Sequence, residues 1–264
     1  MTSHLSTATR VRAADGISLT DEGEGPAALL LHGIGGSARS CQALGAALAG
    51  HGRRALAWDA PGYGESADPT GPVDLPARVL QVLDDLGLDR VDLFGTSWGG
   101  VIATLVAVRW PERVRTLTLA DSTRGSATSP DRAAAMRGRV GELAEVGAER
   151  FASSRAPRLV APGCDAAVAE AVRREMAQVR VPGYRVAAEF MAATDTAGLL
   201  PTVSCPTLVV VGEHDRVTGV PESELLAAAI PGARLVVLPG AGHAAVTERP
   251  AEMAAAMLEF WTTA

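Results

Sequence analysis

The stretch Val91-Asp92-Leu93-Phe94-Gly95-Thr96-Ser97-Trp98-Gly99-Gly100 decides how the rest of the chain is read. It opens as a short apolar run, passes through Gly95-Thr96-Ser97-Trp98-Gly99, and continues into Trp98–Trp110, an apolar segment of helical length. The pattern is a strand, a sharp turn and a helix, with a serine at the apex. The glycines have a steric reason to flank it, because a turn that holds serine in a strained conformation leaves no room for Cβ atoms on either side. Gly100 extends the small-residue patch and lets the helix approach a sheet closely. With 28 glycines in 264 residues the bare Gly-x-Ser-x-Gly pattern says little, and its weight comes from this strand–turn–helix setting.

Outward from this turn the same rhythm repeats. Ala27–Leu31, Ala55–Trp58, Thr116–Ala120, Thr207–Val211 and Leu235–Leu238 are short runs apolar on both faces, as a parallel sheet covered by helices requires. Between them lie segments of helical character at Arg39–Gly50, Leu75–Leu86, Pro221–Ile230 and Pro250–Trp261. Thr7–Ala13 and Ile17–Thr20, joined at Asp15-Gly16, read as a hairpin on the sheet edge. The expected class is α/β, a mostly parallel doubly wound sheet of about eight strands whose ligands bind at the carboxyl ends of the strands. From Ser122 to Leu200 no parallel strand is legible, only Ala/Arg/Glu-rich helical pattern. The expected organisation is a core of residues 1–121 and 201–264, with residues 122–200 as a helical lid inserted after the sixth strand.

A serine hydroxyl is a weak nucleophile at neutral pH, so Ser97 calls for a base and a group to orient that base. Thr207–Val211 leads into Gly212-Glu213-His214-Asp215, and Leu235–Leu238 leads into Pro239-Gly240-Ala241-Gly242-His243. Each places a polar residue just past a strand end, on the rim expected for Ser97, and the order Ser97, Asp215, His243 suits this topology. Glu213 and Asp121 are rivals for the acid. Leu31-His32-Gly33-Ile34-Gly35-Gly36, after the first parallel run, supplies a glycine-rich loop whose N–H groups can face one way. Donors aimed at a developing oxyanion are worth about 10²–10³-fold each in rate. The Ile34 N–H is the candidate, paired with the Trp98 N–H at the start of the helix. A phosphate cradle is disfavoured by the absence of Lys and of GxGxxG at this turn, and His32 reads as a structural hydrogen-bonder. The Trp98 side chain has two readings, a wall of the acyl pocket or packing against the lid. Arg124 is a candidate clamp for a substrate carboxylate, with Arg185 and Phe190 as further substrate-binding candidates in the insertion. No base or anion hole can be assigned to Cys41.

Composition narrows the chemistry further. The 24 basic residues are all Arg, against 30 acidic ones, for a net charge of −6. Without Lys there is no Schiff base and no Walker-type phosphate loop, and without Asn no N-glycosylation acceptor. The acidic balance gives no footprint for nucleic acid. No signal-peptide run opens the chain and no apolar stretch reaches 18 residues, so no membrane association and a cytoplasmic location are expected. Cys41, Cys164 and Cys205 form no CxxC, and the five histidines show neither HxxxH nor HxH spacing, so free thiols, no metal and no cofactor are expected.

These residues together resemble the α/β-hydrolase fold family over nearly the full length. The resemblance rests on His32-Gly33, on Asp59-Ala60-Pro61-Gly62-Tyr63-Gly64-Glu65-Ser66, and on the turn at Ser97. Pro111-Glu112-Arg113-Val114, Gly212-Glu213-His214-Asp215 and Gly242-His243 complete it. It implies Ser97 as nucleophile, His243 as base and Asp215 as the orienting acid. Haloalkane dehalogenases and epoxide hydrolases of this family carry Asp where Ser97 stands. Carbon–carbon hydrolases share the serine but often place Trp directly after the histidine, where this chain has Ala244. Cofactor-free oxygenases, thioesterases and perhydrolases have similar motifs. The Gly-Ile-Gly-Gly-Ser loop and Arg113–Asp121 look most like the enol-lactonase and small-ester hydrolase branch. The expected function is therefore a serine hydrolase that cleaves a small-molecule carboxylic ester or lactone, with carbon–carbon bond hydrolysis on the same triad as the alternative.

Overall fold

A computed structural model describes residues 8–264. The chain enters through a hairpin of β1 (Thr9–Arg12) and β2 (Ser18–Glu22), paired antiparallel, with Asp15 and Gly16 both at positive φ in the turn. Thr7, read as part of this hairpin, lies outside the described residues. β2 pairs antiparallel with β4 (Arg54–Asp59), and from there the sheet is parallel through β3 (Ala27–Leu31), β5 (Val91–Thr96), β6 (Val114–Ala120), β7 (Thr207–Gly212) and β8 (Arg234–Leu238). The spatial order of the eight strands is β1-β2-β4-β3-β5-β6-β7-β8.

The two-sided apolarity of the central strands follows from this placement. In β3, Ala27, Leu29 and Leu31 face one core while Ala28 and Leu30 face the other, since successive side chains of a strand point to opposite faces. One core is closed by α1 (Gln42–Ala49) through Leu44 and Leu48. The opposite core is closed by α2 (Leu75–Asp85) and α3 (Trp98–Arg109), through Val79 and Leu83 and through Val101, Ile102 and Val106. A 3₁₀ turn, Ala38–Cys41 capped by Ser37, precedes α1, so the helix proper starts later than its sequence pattern suggests. β8 differs from the other parallel strands: Arg234 and Val237 are exposed, because the strand sits at the sheet edge.

Between β6 and β7 the described chain holds helices and no strand. α4 (Pro130–Arg155) is capped by the Ser129 side chain and broken at Gly147, whose φ is 77°. α5 (Ala166–Met176) is capped by Asp165, and α6 (Val181–Ala193) follows. This segment is tied to the rest of the molecule on both sides. Arg180 bonds Asp68 and the carbonyls of Gly64 and Ser66, the Ala244 N–H donates to Leu159, and Glu175 accepts from the Ser37 hydroxyl. The chain ends with α7 (Val220–Ala229), the single turn α8 (Ala245–Glu248) and α9 (Pro250–Thr263), whose Met253, Met257 and Phe260 join the α1 side. Among the described residues no helix is long and apolar enough to cross a membrane.

The Asp59–Ser66 stretch turns out to be a structural strap. Asp59 is fully buried and accepts from the Ala38 N–H at 2.8 Å, the Glu65 N–H at 3.0 Å and the Arg10 guanidinium at 2.6 Å. Its bonds knit β4, the turn before α1 and the hairpin into one unit.

Candidate active site

Ser97 joins β5 to α3 with φ 53° and ψ −118°, a conformation costing a non-glycine residue about 1–3 kcal/mol. The surroundings hold it there: its N–H donates to Ala120 at 2.8 Å, and its carbonyl accepts from Gly100 N–H and Ser122 Oγ, both at 3.0 Å. The neighbouring glycines are required by close approach. A Cβ on Gly95 would stand 2.5 Å from the Gly100 nitrogen, and one on Gly99 2.7 Å from the His32 carbonyl oxygen.

His243, in the loop between β8 and α8, places Nε2 3.1 Å from Ser97 Oγ and Nδ1 3.0 Å from Asp215 Oδ2. A carboxylate only accepts, so Nδ1 carries the proton and Nε2 is left as the acceptor for the serine hydroxyl. Asp215 lies three residues past β7. Burial works to raise its pKa, but hydrogen bonds from His243, Thr218 and Val217 outweigh burial and hold it below the usual carboxylate range. Oδ1 accepts from the Val217 N–H at 2.7 Å and Oδ2 from the Thr218 hydroxyl at 2.5 Å. The rival acids are placed elsewhere. Glu213 is half exposed and accepts from the Gly240 N–H at 3.0 Å. Asp121 is buried with Oδ1 on the Gly212 N–H at 2.8 Å, and burial, then the nearby Asp215, pushes its carboxyl well above the usual range.

The glycine loop is oriented from behind. His32 is fully buried, and its Nε2 accepts from the Ala60 N–H at 3.1 Å, so Nδ1 carries the proton and donates to the Gly33 carbonyl at 2.8 Å. Burial lowers the His32 pKa and keeps the ring neutral. The Gly33 carbonyl and the Ile34 N–H belong to one trans peptide and point in opposite directions, so anchoring the carbonyl to His32 turns the N–H the other way. Tyr63 adds a second tether, its hydroxyl donating to the Ile34 carbonyl at 3.0 Å. Neither the Ile34 N–H nor the Trp98 N–H has an acceptor among the described residues, and both residues border the same cavity as Ser97 and His243. Trp98 borders the cavity, and its side chain also packs inward. Its ring is 1% exposed, 5.6 Å from the His32 ring and 5.4 Å from the Tyr63 ring, so it braces the loop.

The cavity has a volume of about 560 Å³ and is lined in part by residues of the helical segment, among them Met136, Val172 and Met176. The three expected substrate-binding residues are not on its wall, which corrects that part of the sequence reading. The Arg124 guanidinium is held bidentately by Glu222 at 2.9 and 3.0 Å, Arg185 is exposed, and Phe190 packs half-buried against the core. Burial raises the Glu222 pKa, but Arg124 outweighs it and holds the carboxyl down. Arg39, Arg132 and Arg139 border the cavity instead. Sequence reading also missed Thr218, Tyr63 and Glu248, whose carboxylate accepts from the N–H groups of Gly242 and Ala161. Only Thr218 left a local signal, an Asp followed three residues on by Thr, a spacing that closes a side-chain turn. Burial pushes the Cys41 thiol up to about 12, which leaves it inert. Among the described residues no cluster of metal-ligating side chains occurs.

Known proteins resemble this chain in sequence and fold. The chain is 29% identical over 201 residues to 3-oxoadipate enol-lactonase 2 of Acinetobacter baylyi, covering 74% of this chain and 73% of that protein. It is 31% identical over 245 residues to 2-hydroxymuconate semialdehyde hydrolase of Pseudomonas putida, covering 86% and 83%. An esterase from Thermogutta terrifontis superposes with a TM-score of 0.88 at 28% identity, covering 97% of this chain and 98% of that one. With the family model for the alpha/beta hydrolase fold matching residues 26–250, the chain belongs to the α/β-hydrolase family.

Proposed function

We propose that the protein is a serine hydrolase of carboxylic esters or lactones that works through an acyl-enzyme on Ser97. The observation that carries this reading is the continuous relay Ser97–His243–Asp215 beside two N–H groups without acceptors, with Ser97, His243, Ile34 and Trp98 bordering one cavity. Ser97 Oγ attacks the carbonyl carbon as its proton passes to His243 Nε2, and the Ile34 and Trp98 N–H groups take up the charge that builds on the carbonyl oxygen. His243 then gives the proton to the leaving alkoxide. In a lactone this alkoxide stays on the acyl chain. Water, deprotonated by His243, attacks the acyl-enzyme and releases the acid. Asp215 keeps the imidazole in the required tautomer and stabilises its charged form. The helical segment, residues 122–200, acts as a lid that screens the acyl-enzyme and limits substrate size.

The likeness to an enol-lactonase and to an esterase supports this chemistry, and the likeness to a semialdehyde hydrolase favours carbon–carbon cleavage as the second reading. Ala244 after His243 weighs against that second reading. Rapid mixing with a short-chain nitrophenyl ester separates the two. A burst of one nitrophenolate per active site followed by steady turnover is expected. Acylation without turnover would move the assignment to carbon–carbon substrates.

A further inference from the structure

The cavity above Ser97 is bordered by three arginines: Arg39 from the 3₁₀ turn after the glycine loop, and Arg132 and Arg139 from α4. Many of the other arginines stand against carboxylates, as Arg124 does with Glu222, Arg155 with Glu142, Arg173 with Glu149 and Glu170, and Arg180 with Asp68. None of the three cavity arginines has a carboxylate partner among the described residues. The acidic residues on the same wall are Glu175 and Glu222. Glu222 is neutralised by Arg124, and Glu175 faces the Ser37 hydroxyl. A chain of net charge −6 thus carries, around its one candidate nucleophile, a cavity with surplus positive charge.

Arg132, Met136 and Arg139 follow at spacings of four and three, so they share one face of α4 and present a cation, an apolar contact and a second cation along the cavity. Arg39 and Arg132 are exposed, whereas Arg139 is partly buried. Its neighbour there is Tyr184, whose pKa burial raises and Arg139 and Arg155 partly restore. A guanidinium has five donors, and one phenol leaves most of them free. A partly desolvated cation without a counter-ion is completed by an anion, and a planar carboxylate fits its fork. The same cavity is also lined by the apolar Met136, Val172 and Met176, which suits a hydrocarbon spacer.

We propose that the substrate carries a carboxylate, bound by Arg139 with Arg132 and Arg39 toward the mouth, while the scissile ester or lactone carbonyl lies at Ser97. This deepens the ester-hydrolase reading and rests on it. The substrate class is a monoester of a dicarboxylic acid, or a lactone bearing a carboxylate.

The test compares kcat/KM for monoethyl glutarate with that for its neutral isostere, in which an amide replaces the carboxylate, in the wild type, Arg139→Ala, Arg139→Lys and Arg185→Ala. In parallel, glutarate and glutaramide compete with a fluorophosphonate for labelling of Ser97, which reads binding whether or not the ester turns over. The wild type should prefer the anion by about tenfold or more, and glutarate should protect better than glutaramide. Arg139→Ala should bring both preferences near unity, Arg139→Lys should restore part of them, and Arg185→Ala should keep them. Equal handling of anion and amide by the wild type, or a preference that survives Arg139→Ala, would overturn the carboxylate site while leaving the ester-hydrolase reading intact. Failure of Ser97 to label would overturn that reading and the carboxylate site with it.

Discussion

Ser97, Asp215 and His243 stand past the carboxyl ends of β5, β7 and β8, and the backbone around each is pinned by hydrogen bonds. Arg39, Arg132 and Arg139 face the same cavity from positions that are exposed or partly buried, two of them on a helix broken at Gly147. On the rim, each reacting side chain is set by a sheet register and a strained or glycine-flanked turn, so its position follows from the chain's own geometry. Over the cavity, side-chain placement depends on how α4 is rotated against the core. In the proposed mechanism the first region sets the reaction and the second sets which molecule reaches it.

Changes on the rim should therefore act on kcat, and changes above it on substrate preference or stability. The largest effect among the supporting residues is expected for Asp215→Asn, which keeps the shape but allows the wrong histidine tautomer. Steady-state kinetics should show kcat reduced by about 10³–10⁴-fold. Tyr63→Phe removes the tether on the Ile34 carbonyl at 3.0 Å and should lower kcat by about 3–10-fold with little change in KM, as expected for losing one neutral hydrogen bond behind an oxyanion donor. Arg124→Ala should leave the preference for anionic substrates in place and lower the thermal midpoint by several degrees, because it strands a nearly buried Glu222.

The smallest effect on turnover is expected for Asp121→Asn, within about threefold, since the amide stands in for a carboxyl that burial keeps protonated. Its signature lies in the pH dependence of stability. With the native pKa above the unfolded one, the native state retains a proton that the unfolded chain gives up as pH rises past the carboxylate range. Stability from this group is therefore lost as pH rises toward the native value. Melting curves at pH 5 and pH 8 should show the Asn variant gaining on the wild type at the higher pH. A large loss of kcat in Asp121→Asn, with Asp215→Asn active, would reverse the acid assignment.

How far the sequence could be read follows the same division. Ala27–Leu31 matches β3, and the turn at Ser97 with the strand before it was visible because glycines, strand and helix lie within ten residues of one another. Asp215 and His243 were legible because each follows a two-sided apolar run. The Arg124–Glu222 pair spans 98 positions and brings together segments that only the fold makes neighbours, so no local pattern marked Arg124 as already occupied. Arg139 was invisible for the same reason: an Arg in an Arg-rich helix has no distinguishing neighbour until the helix docks. The exposed face of β8 was also missed, because an edge strand and a central one have similar composition when both are short and Val-rich.

The central claim is that Ser97 is the nucleophile armed by His243. Intact-mass measurement after brief exposure to a fluorophosphonate, on the wild type, Ser97→Ala and His243→Ala of confirmed fold, tests it most directly. The expected result is one adduct per wild-type chain mapping to Ser97, none on Ser97→Ala, and labelling slowed by about 10³-fold or more on His243→Ala. An adduct that persists in Ser97→Ala, or labelling as fast without His243 as with it, would contradict the account.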